Sequence, residues 1–378
     1  MSTNKILQNQ GHSEKIRERF LGCLLGGAAG DALGAPVEFM QRNEIIAHFG
    51  AEGIVNFALS FGGIGTITDD TQMTLFTAEG LIRGWVHQCF YGTADYGSIT
   101  SHAYMRWLQT QGETPSCDID FAADEQGWLI EQSKLHNRRA PGITCISSLK
   151  SMTALGELAA NESKGCGGVM RVAPVGLFAS QLRDQLSAED CFRLGANLAA
   201  LTHGHPTGYL TAGVFSVLIL LLVSGESLND ALSHGRKILV EMPNHEETLR
   251  ALDLAVELAS SNTPTEKAIN KLGRGWIAEE ALAIAIYCSL VCENFKQGVA
   301  LAVNHDGDSD STGAITGNLL GALHGIKSIP EEWLNQLELV DVLREVADDL
   351  FSFRNWDIGS TGKNRALNQN IWWKYPGF

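Results

Sequence analysis

The chain has 378 residues, 44% of them hydrophobic, with 9 prolines, 40 glycines and a formal charge of −15 from 28 basic and 43 acidic side chains. This composition fits a well-packed globular protein, and its acidity excludes a nucleic-acid surface built on a basic face. Any anionic ligand must be met by local cations, a few arginines or backbone N–H groups.

The eight cysteines form no C-x-x-C pair and no Cys/His cluster with zinc spacing. The polar start MSTNKILQNQGHSEK lacks an apolar signal core, and the longest apolar run, 212–223, suits a core helix better than a membrane span. A reducing, cytoplasmic setting is expected, with no membrane or nucleic-acid partner. Residues 1–14 read as a flexible tail before a domain at 15–378. A helix is expected from near Ser13 through IRERFLGCLLGGAAGDALG, stopped by Pro36 with Glu38 at its mouth. Its glycines Gly22, Gly26, Gly30 and Gly34 are spaced by four and share one face. Residues 40–49 suggest a short helix, and 54–67 a loop with a hairpin around Gly62, Gly63 and Gly65. Next, Thr68, Asp69, Asp70 and Thr71 precede an amphipathic pattern at Leu75, Ala78, Ile82 and Trp85. Capping accounts for one of these aspartates but not for the pair with its flanking hydroxyls.

Most of the remainder reads as helix, near 95–110, 122–134, 143–158, 169–180, 187–202, 207–223, 227–240, 245–260, 276–292, 294–303 and 331–352. No strand–helix alternation and no Walker or dinucleotide fingerprint occurs, so one all-α domain is expected. Three loops stand out: NRRAPGITC at 137–145, NESKGCGGVMRVAP at 161–174, and LTHGHPTG at 201–208. The second brings Gly165, Gly167 and Gly168 to a helix start, which suits an anion or a simple flexible turn. His203 and His205 in the third are ligands or structural histidines. The aromatic C-terminal segment, with Trp372, Trp373 and Tyr375, is expected to be pinned onto the domain.

The richest stretch is NHDGDSDSTGAITGNLLGALHG at 304–325. Asp306, Asp308 and Asp310, then Ser311 and Thr312, precede a helix with a second ladder at Gly313, Gly317, Gly321 and Gly325. Each interior glycine costs roughly 1 kcal/mol relative to alanine, so both ladders imply close backbone approach. Acids crowded at an apolar helix start are either caps or cation ligands. Glu38, Asp69, Asp70, Asp308 and Asp310, with Thr68 and Ser311 or Thr312, form a donor set for two hard cations, and Mg²⁺ or Mn²⁺ suits it better than zinc.

The segments GCLLGGAAGDALGAPVE, TDDTQMT and GDSDSTGAITGNLLGA resemble, in order, three signature blocks of the ADP-ribosylglycohydrolase family. NRRAPG and SKGCGGVMRVAP resemble further family segments, and the likeness covers residues 17–325. The resemblance implies a compact orthogonal multi-helix domain with two Mg²⁺ or Mn²⁺ ions. It implies metal ligands at Thr68, Asp69, Asp70, Asp308, Asp310 and Ser311, with Glu38 completing or gating the site. Ser311 stands where many relatives have Thr and keeps the hydroxyl oxygen. Asp306 has no clear family role and is expected to cap or to sit behind the ligands. Asp70 or Asp310 would act as general base or charge stabiliser, with Glu38 also catalytic. Substrate contacts are implied for Arg138, Arg139, Gly142, Gly165, Gly167, Gly168, Arg171 and His203. The implied activity is removal of ADP-ribose from a modified protein, with arginine the first expected linkage. Alternatives are serine-linked or O-acetyl-ADP-ribose, an immunity protein that binds an ADP-ribosyltransferase toxin, or a relative without catalysis.

Overall fold

The computed structural model describes residues 2–116 and 126–377, with side chains from residue 11 onward. Two helices from opposite ends of the chain form its centre: α1, Ser2–Gly34, and α14, Ser309–His324. The two glycine ladders face each other. An added Cβ on Gly26 or Gly30 would overlap the carbonyl of Gly317 or Gly313, and one on Gly22 would lie 2.6 Å from the Gly325 carbonyl carbon. The propensity cost of interior glycine is thus offset by backbone-to-backbone packing that no other residue permits. Asn318 adds a hydrogen bond across this seam, Nδ2 to the Cys23 carbonyl at 2.8 Å.

After α1 come α2, Arg42–Phe49, and a two-strand hairpin, β1 Leu59–Ser60 and β2 Gly63–Ile64, that turns through Phe61 and Gly62 at positive φ. Thr68 then caps α3, Asp69–Tyr91, which ends at left-handed Gly92. Helix α3 packs against α4, Tyr96–Thr110, and buries Glu79 between Arg83 at 3.2 Å and Arg106 at 2.9 Å. Beyond the undescribed residues come α5 Ile143–Ser151, α6 Ala173–Gln181, α7 Ala188–Ala200 and α8 Pro206–Ser224. Helix α8 is long and apolar enough to cross a membrane, but 89% of its apolar window is buried against α6, α7 and later helices, as a core helix requires.

The chain continues through α9 Leu228–Leu239, α10 Glu246–Ala259, α11 Thr265–Leu272, α12 Ala278–Val291 and α13 Phe295–Val303 to the central α14. It closes with α15 Glu331–Leu334, α16 Val340–Ser352 and α17 Arg365–Lys374. One hydrophobic core runs from Phe20 to Tyr375. The architecture is all-α, as expected.

Several boundaries differ from expectation. Helix α1 begins at Ser2 rather than near Ser13. The helix expected at 331–352 is two, broken where Leu339 takes a left-handed φ of 57°. Residues 122–125 of another expected helix lie outside the described residues, and the chain from 126 is irregular up to a 3-10 turn at Ser133–His136. Helices α11 and α17 have no counterpart among the expected elements. The C-terminal segment is pinned: Tyr375 is buried with its hydroxyl on Asp349 at 2.6 Å, and Lys374 pairs with Glu345 and Asp349. Trp372 packs edge-on against Phe90, while Trp373 is exposed.

Candidate metal centre and substrate cavity

Because α1 and α14 lie in contact, the loop after α1 and the N-terminus of α14 share one end of the molecule. Glu38 sits in that loop; Asp308 caps α14 by accepting from the Ser311 N–H at 3.3 Å, and Asp310 lies in its first turn. Glu38, Asp308 and Asp310 each place a carboxylate oxygen within 4.8 Å of the others. The N-terminus of α3 brings Asp69 and Asp70 to the same cavity.

A residue that the motifs alone do not mark ties the start of α3 to α1. Asp31, fully buried in α1, accepts from the backbone N–H and hydroxyl of Thr68 and from those of Thr71. The Thr68 hydroxyl donates to Asp31 Oδ1 at 2.9 Å and accepts weakly from the Asp70 N–H at 3.4 Å. Asp31 lies inside the block GCLLGGAAGDALGAPVE, and a lone carboxylate between Ala29 and Ala32 on an apolar helix is the signal that could have found it.

The acids are crowded and desolvated. Burial first, then Asp310 and Asp308, push the Glu38 carboxyl up to about 11. Burial and Asp310 push Asp31 up to about 7, against the hydrogen bonds from Thr71 and Thr68. Asp69, Asp70 and Asp308 are also held well above the usual carboxylate range, chiefly by burial and then by their acidic neighbours. Glu38 Oε2 and Asp70 Oδ1 are buried without a hydrogen-bond partner. Among the described residues, the Ser311 hydroxyl meets only sulfur, Cys166 Sγ at 3.6 Å and Met170 Sδ at 3.8 Å. Unpartnered oxygens beside mutually repelling carboxylates fit a hard divalent metal.

These acids form one wall of a cavity of about 460 Å³. Gly142, Gly165, Gly167, Arg138 and His203 also line it, as do Cys166, Met170, Phe39, Ile143 and Trp276, to which the sequence alone assigns no role. Asp69 Oδ2 accepts the Gly142 N–H at 3.0 Å and so anchors the 137–145 loop over the cavity. At Gly167 a Cβ would lie 2.7 Å from Cys145 Sγ and 3.1 Å from His203 Cε1, so bare backbone must form that wall. His203 is buried, with Nδ1 on the Thr202 hydroxyl at 2.8 Å, and burial followed by the Arg171 charge lowers it to about 3, leaving a neutral ring. The Cys166 thiol donates to Asp308 Oδ2 at 2.8 Å and fixes that carboxylate's orientation.

Other expected residues lie elsewhere. The Arg171 guanidinium is buried over the Tyr104 ring, 4.4 Å from its centroid, and bonds the Leu198 carbonyl and the Thr202 hydroxyl. Arg139 is bound to Glu338 and the Ile67 carbonyl. Both arginines are committed to protein groups, so neither faces the cavity for the expected diphosphate contact, and Gly168 is packed against Ala199 and His203 rather than lining it. Thr68 sits behind the lining through its bond to Asp31. The Thr312 hydroxyl is occupied by the Asp308 and Ala302 carbonyls, which leaves Ser311 as the hydroxyl on the cavity. Asp306 is turned away and accepts the Arg42 N–H at 2.6 Å, at the start of α2.

A family model described as ADP-ribosylglycohydrolase matches residues 12–358. The chain is 25% identical over 344 residues to the ADP-ribosyl-dinitrogen reductase glycohydrolase of Rhodospirillum rubrum, covering 88% of this chain and 94% of that protein. It is 25% identical over 345 residues to the ADP-ribosylarginine hydrolase Tri1 of Pseudomonas putida, covering 89% and 79%. With the ADP-ribosylhydrolase ARH3 of Homo sapiens it shares 27% identity over 359 residues, covering 85% and 89%. A solved structure described as an ADP-ribosylglycohydrolase-related protein complex has the same fold, with a TM-score of 0.62 at 24% identity over 90% of this chain and 99% of the other. The chain belongs to the ADP-ribosylglycohydrolase family, and hydrolysis of ADP-ribosyl linkages is the activity that membership carries.

Proposed function

We propose that this protein removes ADP-ribose from arginine side chains of modified proteins, with two Mg²⁺ or Mn²⁺ ions, in the cytoplasm. The observation that carries the reading is the buried convergence of Glu38, Asp308 and Asp310 with Asp69 and Asp70 on one cavity. Asp69, Asp70, Asp308, Asp310 and Ser311, with Glu38, would hold the ions, whose chemistry is to polarise ribose hydroxyls and acidify the attacking water, while Thr68 stays behind them on Asp31. Similarity to the ADP-ribosylarginine hydrolases Tri1 of Pseudomonas putida and of Serratia proteamaculans favours arginine as the linkage.

The chain's own groups divide the remaining work. Asp70 or Asp310 takes the proton of the attacking water, and the acidic wall offsets the positive charge that builds on the ribose as the C1″ bond breaks. Gly165 and Gly167 let the diphosphate approach bare backbone, and Arg138 supplies the positive side chain on that cavity. His203, neutral and held by Thr202, can hydrogen-bond the substrate without adding charge. Asp31 positions Thr68 and the start of α3.

The test is a panel of arginine-linked, serine-linked and O-acetyl ADP-ribose incubated with enzyme and Mg²⁺ or Mn²⁺, reading free ADP-ribose by chromatography. Release from arginine ahead of the others is expected. Label retained on arginine while another linkage is cleaved would overturn the arginine assignment.

A further inference from the structure

Phe39 and Trp276 stack at the cavity, with ring centroids 5.9 Å apart and planes inclined by 20°. They are 73% and 41% exposed. Paired large rings held open to solvent beside a functional cavity point to a ligand. Their neighbours in the chain place them at the reacting end. Phe39 follows Glu38, whose carboxylate reaches the Asp308–Asp310 cluster. Trp276 follows Gly275, where a Cβ would lie 3.2 Å from the Asp308 carbonyl oxygen. The Trp276 carbonyl accepts the Cys166 N–H at 3.2 Å, and the Cys166 thiol bonds Asp308, so the indole's backbone is tied to the same cluster.

An adenine ring could stack here in principle. With the reacting ribose on the acidic cluster, however, adenine lies a diphosphate and a second ribose further away. The group beside C1″ is the acceptor side chain. Among the described residues, Arg138 is the only arginine or lysine lining this cavity, and it belongs to the loop ordered by Asp69. Open aromatic faces next to carboxylates are the recognition chemistry of a planar cation.

We propose that Phe39 and Trp276 form the acceptor subsite, stacking the guanidinium of the modified arginine while its glycosidic bond is presented to the carboxylates. The assignment rests on the arginine reading above and names the residues that would confer it. It also separates roles within the cavity: the glycine loop for the diphosphate, the acids for the ribose, the ring pair for the leaving side chain.

The experiment compares wild type, F39A, W276A and W276F in Mg²⁺. It measures KM and kcat on an ADP-ribosylarginine peptide, and the inhibition constant of free ADP-ribose, which lacks the acceptor. F39A and W276A should raise KM roughly tenfold, with the ADP-ribose constant moving less than about twofold, and W276F should recover most of the loss. Equal weakening toward both ligands would place the rings on ADP-ribose itself and overturn the subsite. Unchanged KM in both alanine variants would overturn it too. If wild type leaves the arginine linkage intact, the arginine reading falls and the subsite with it; if wild type cleaves it and only the variant pattern fails, the subsite alone falls.

Discussion

Replacing Gly317 by alanine tests how the site is built. Gly317 lies in the middle of α14, where alanine would ordinarily gain about 1 kcal/mol in helix propensity. Its Cβ would overlap the Gly26 carbonyl oxygen and come within 2.5 Å of the Gly26 carbon and 3.1 Å of the Gly27 nitrogen. Those atoms are backbone and cannot swing aside, so α1 and α14 must part by roughly 1 Å. Parting them opens the seam at Gly22–Gly321 and Gly30–Gly313 as well. Overpacking of this kind costs about 1–3 kcal/mol, and loss of contacts along the seam adds to it, so a net destabilisation of about 2–3 kcal/mol is expected. Gly235, mid-helix in α9, is the control: its nearest would-be neighbours are Val214 Cγ1 at 3.5 Å and Leu218 Cδ2 at 3.7 Å, ordinary van der Waals contacts. G235A should therefore be neutral or stabilising by up to about 1 kcal/mol. Equilibrium unfolding in guanidinium chloride compares the two. A G317A protein as stable as G235A would refute the reasoning, because propensity alone would then decide both.

D31N should lower activity and divalent-ion affinity about 10- to 100-fold while the fold persists, since Asp31 orients Thr68 and Thr71; calorimetric metal titration reads it, and unchanged affinity would remove Asp31 from its positioning role. In metal-free protein the folded values near 7 for Asp31 and near 11 for Glu38 stand above the ordinary 3.8 and 4.5, so the folded state binds more protons than the unfolded one. The stability these groups contribute is therefore complete below about pH 4 and falls as pH rises through 7 and beyond. Denaturation at pH 5 and pH 8 should show the loss at pH 8 without metal and its reversal on adding Mn²⁺; a flat profile without metal would contradict the cluster's electrostatics. R171A should destabilise by about 2–4 kcal/mol, because it empties a buried side-chain volume and removes the N–H donors from the Leu198 carbonyl and the Thr202 hydroxyl, whereas R138A should spare stability and raise KM. Thermal unfolding and kinetics of the two variants separate them, and the opposite pattern would reverse the roles assigned to these arginines.

The acidic cluster was legible because its signals are local. Asp69 and Asp70 at one helix start, and Asp308, Asp310 and Ser311 at another, stand out against apolar helices, and the two ladders announce that their helices touch. What stayed hidden depends on distant partners. Nothing near Asp31 in the chain reveals Thr68 or Thr71, and nothing near Arg139 reveals Glu338. Arginine type gives charge but not direction, so Arg138, Arg139 and Arg171 look alike until the fold separates them: Arg138 lines the cavity while paired with Glu113, and the other two do not line it. Phe39 and Trp276 read as ordinary apolar residues, because their exposure and mutual stacking arise only when the loop after α1 meets the loop before α12. The break at Leu339 hid for a related reason: a left-handed leucine has no sequence signature and is held by tertiary packing.

Glu38, Asp69, Asp70, Asp308, Asp310 and Ser311 are the proposed ligands of divalent metal. Titrating Mn²⁺ into the full chain by calorimetry, in two buffers of different ionisation enthalpy, tests this assignment most directly. Saturable binding of two ions with net proton release is expected, because carboxyls raised by burial must deprotonate to ligate, and D310N should lose that binding. Absence of saturable binding to the wild-type chain, or binding that D310N leaves unchanged, would contradict the assignment.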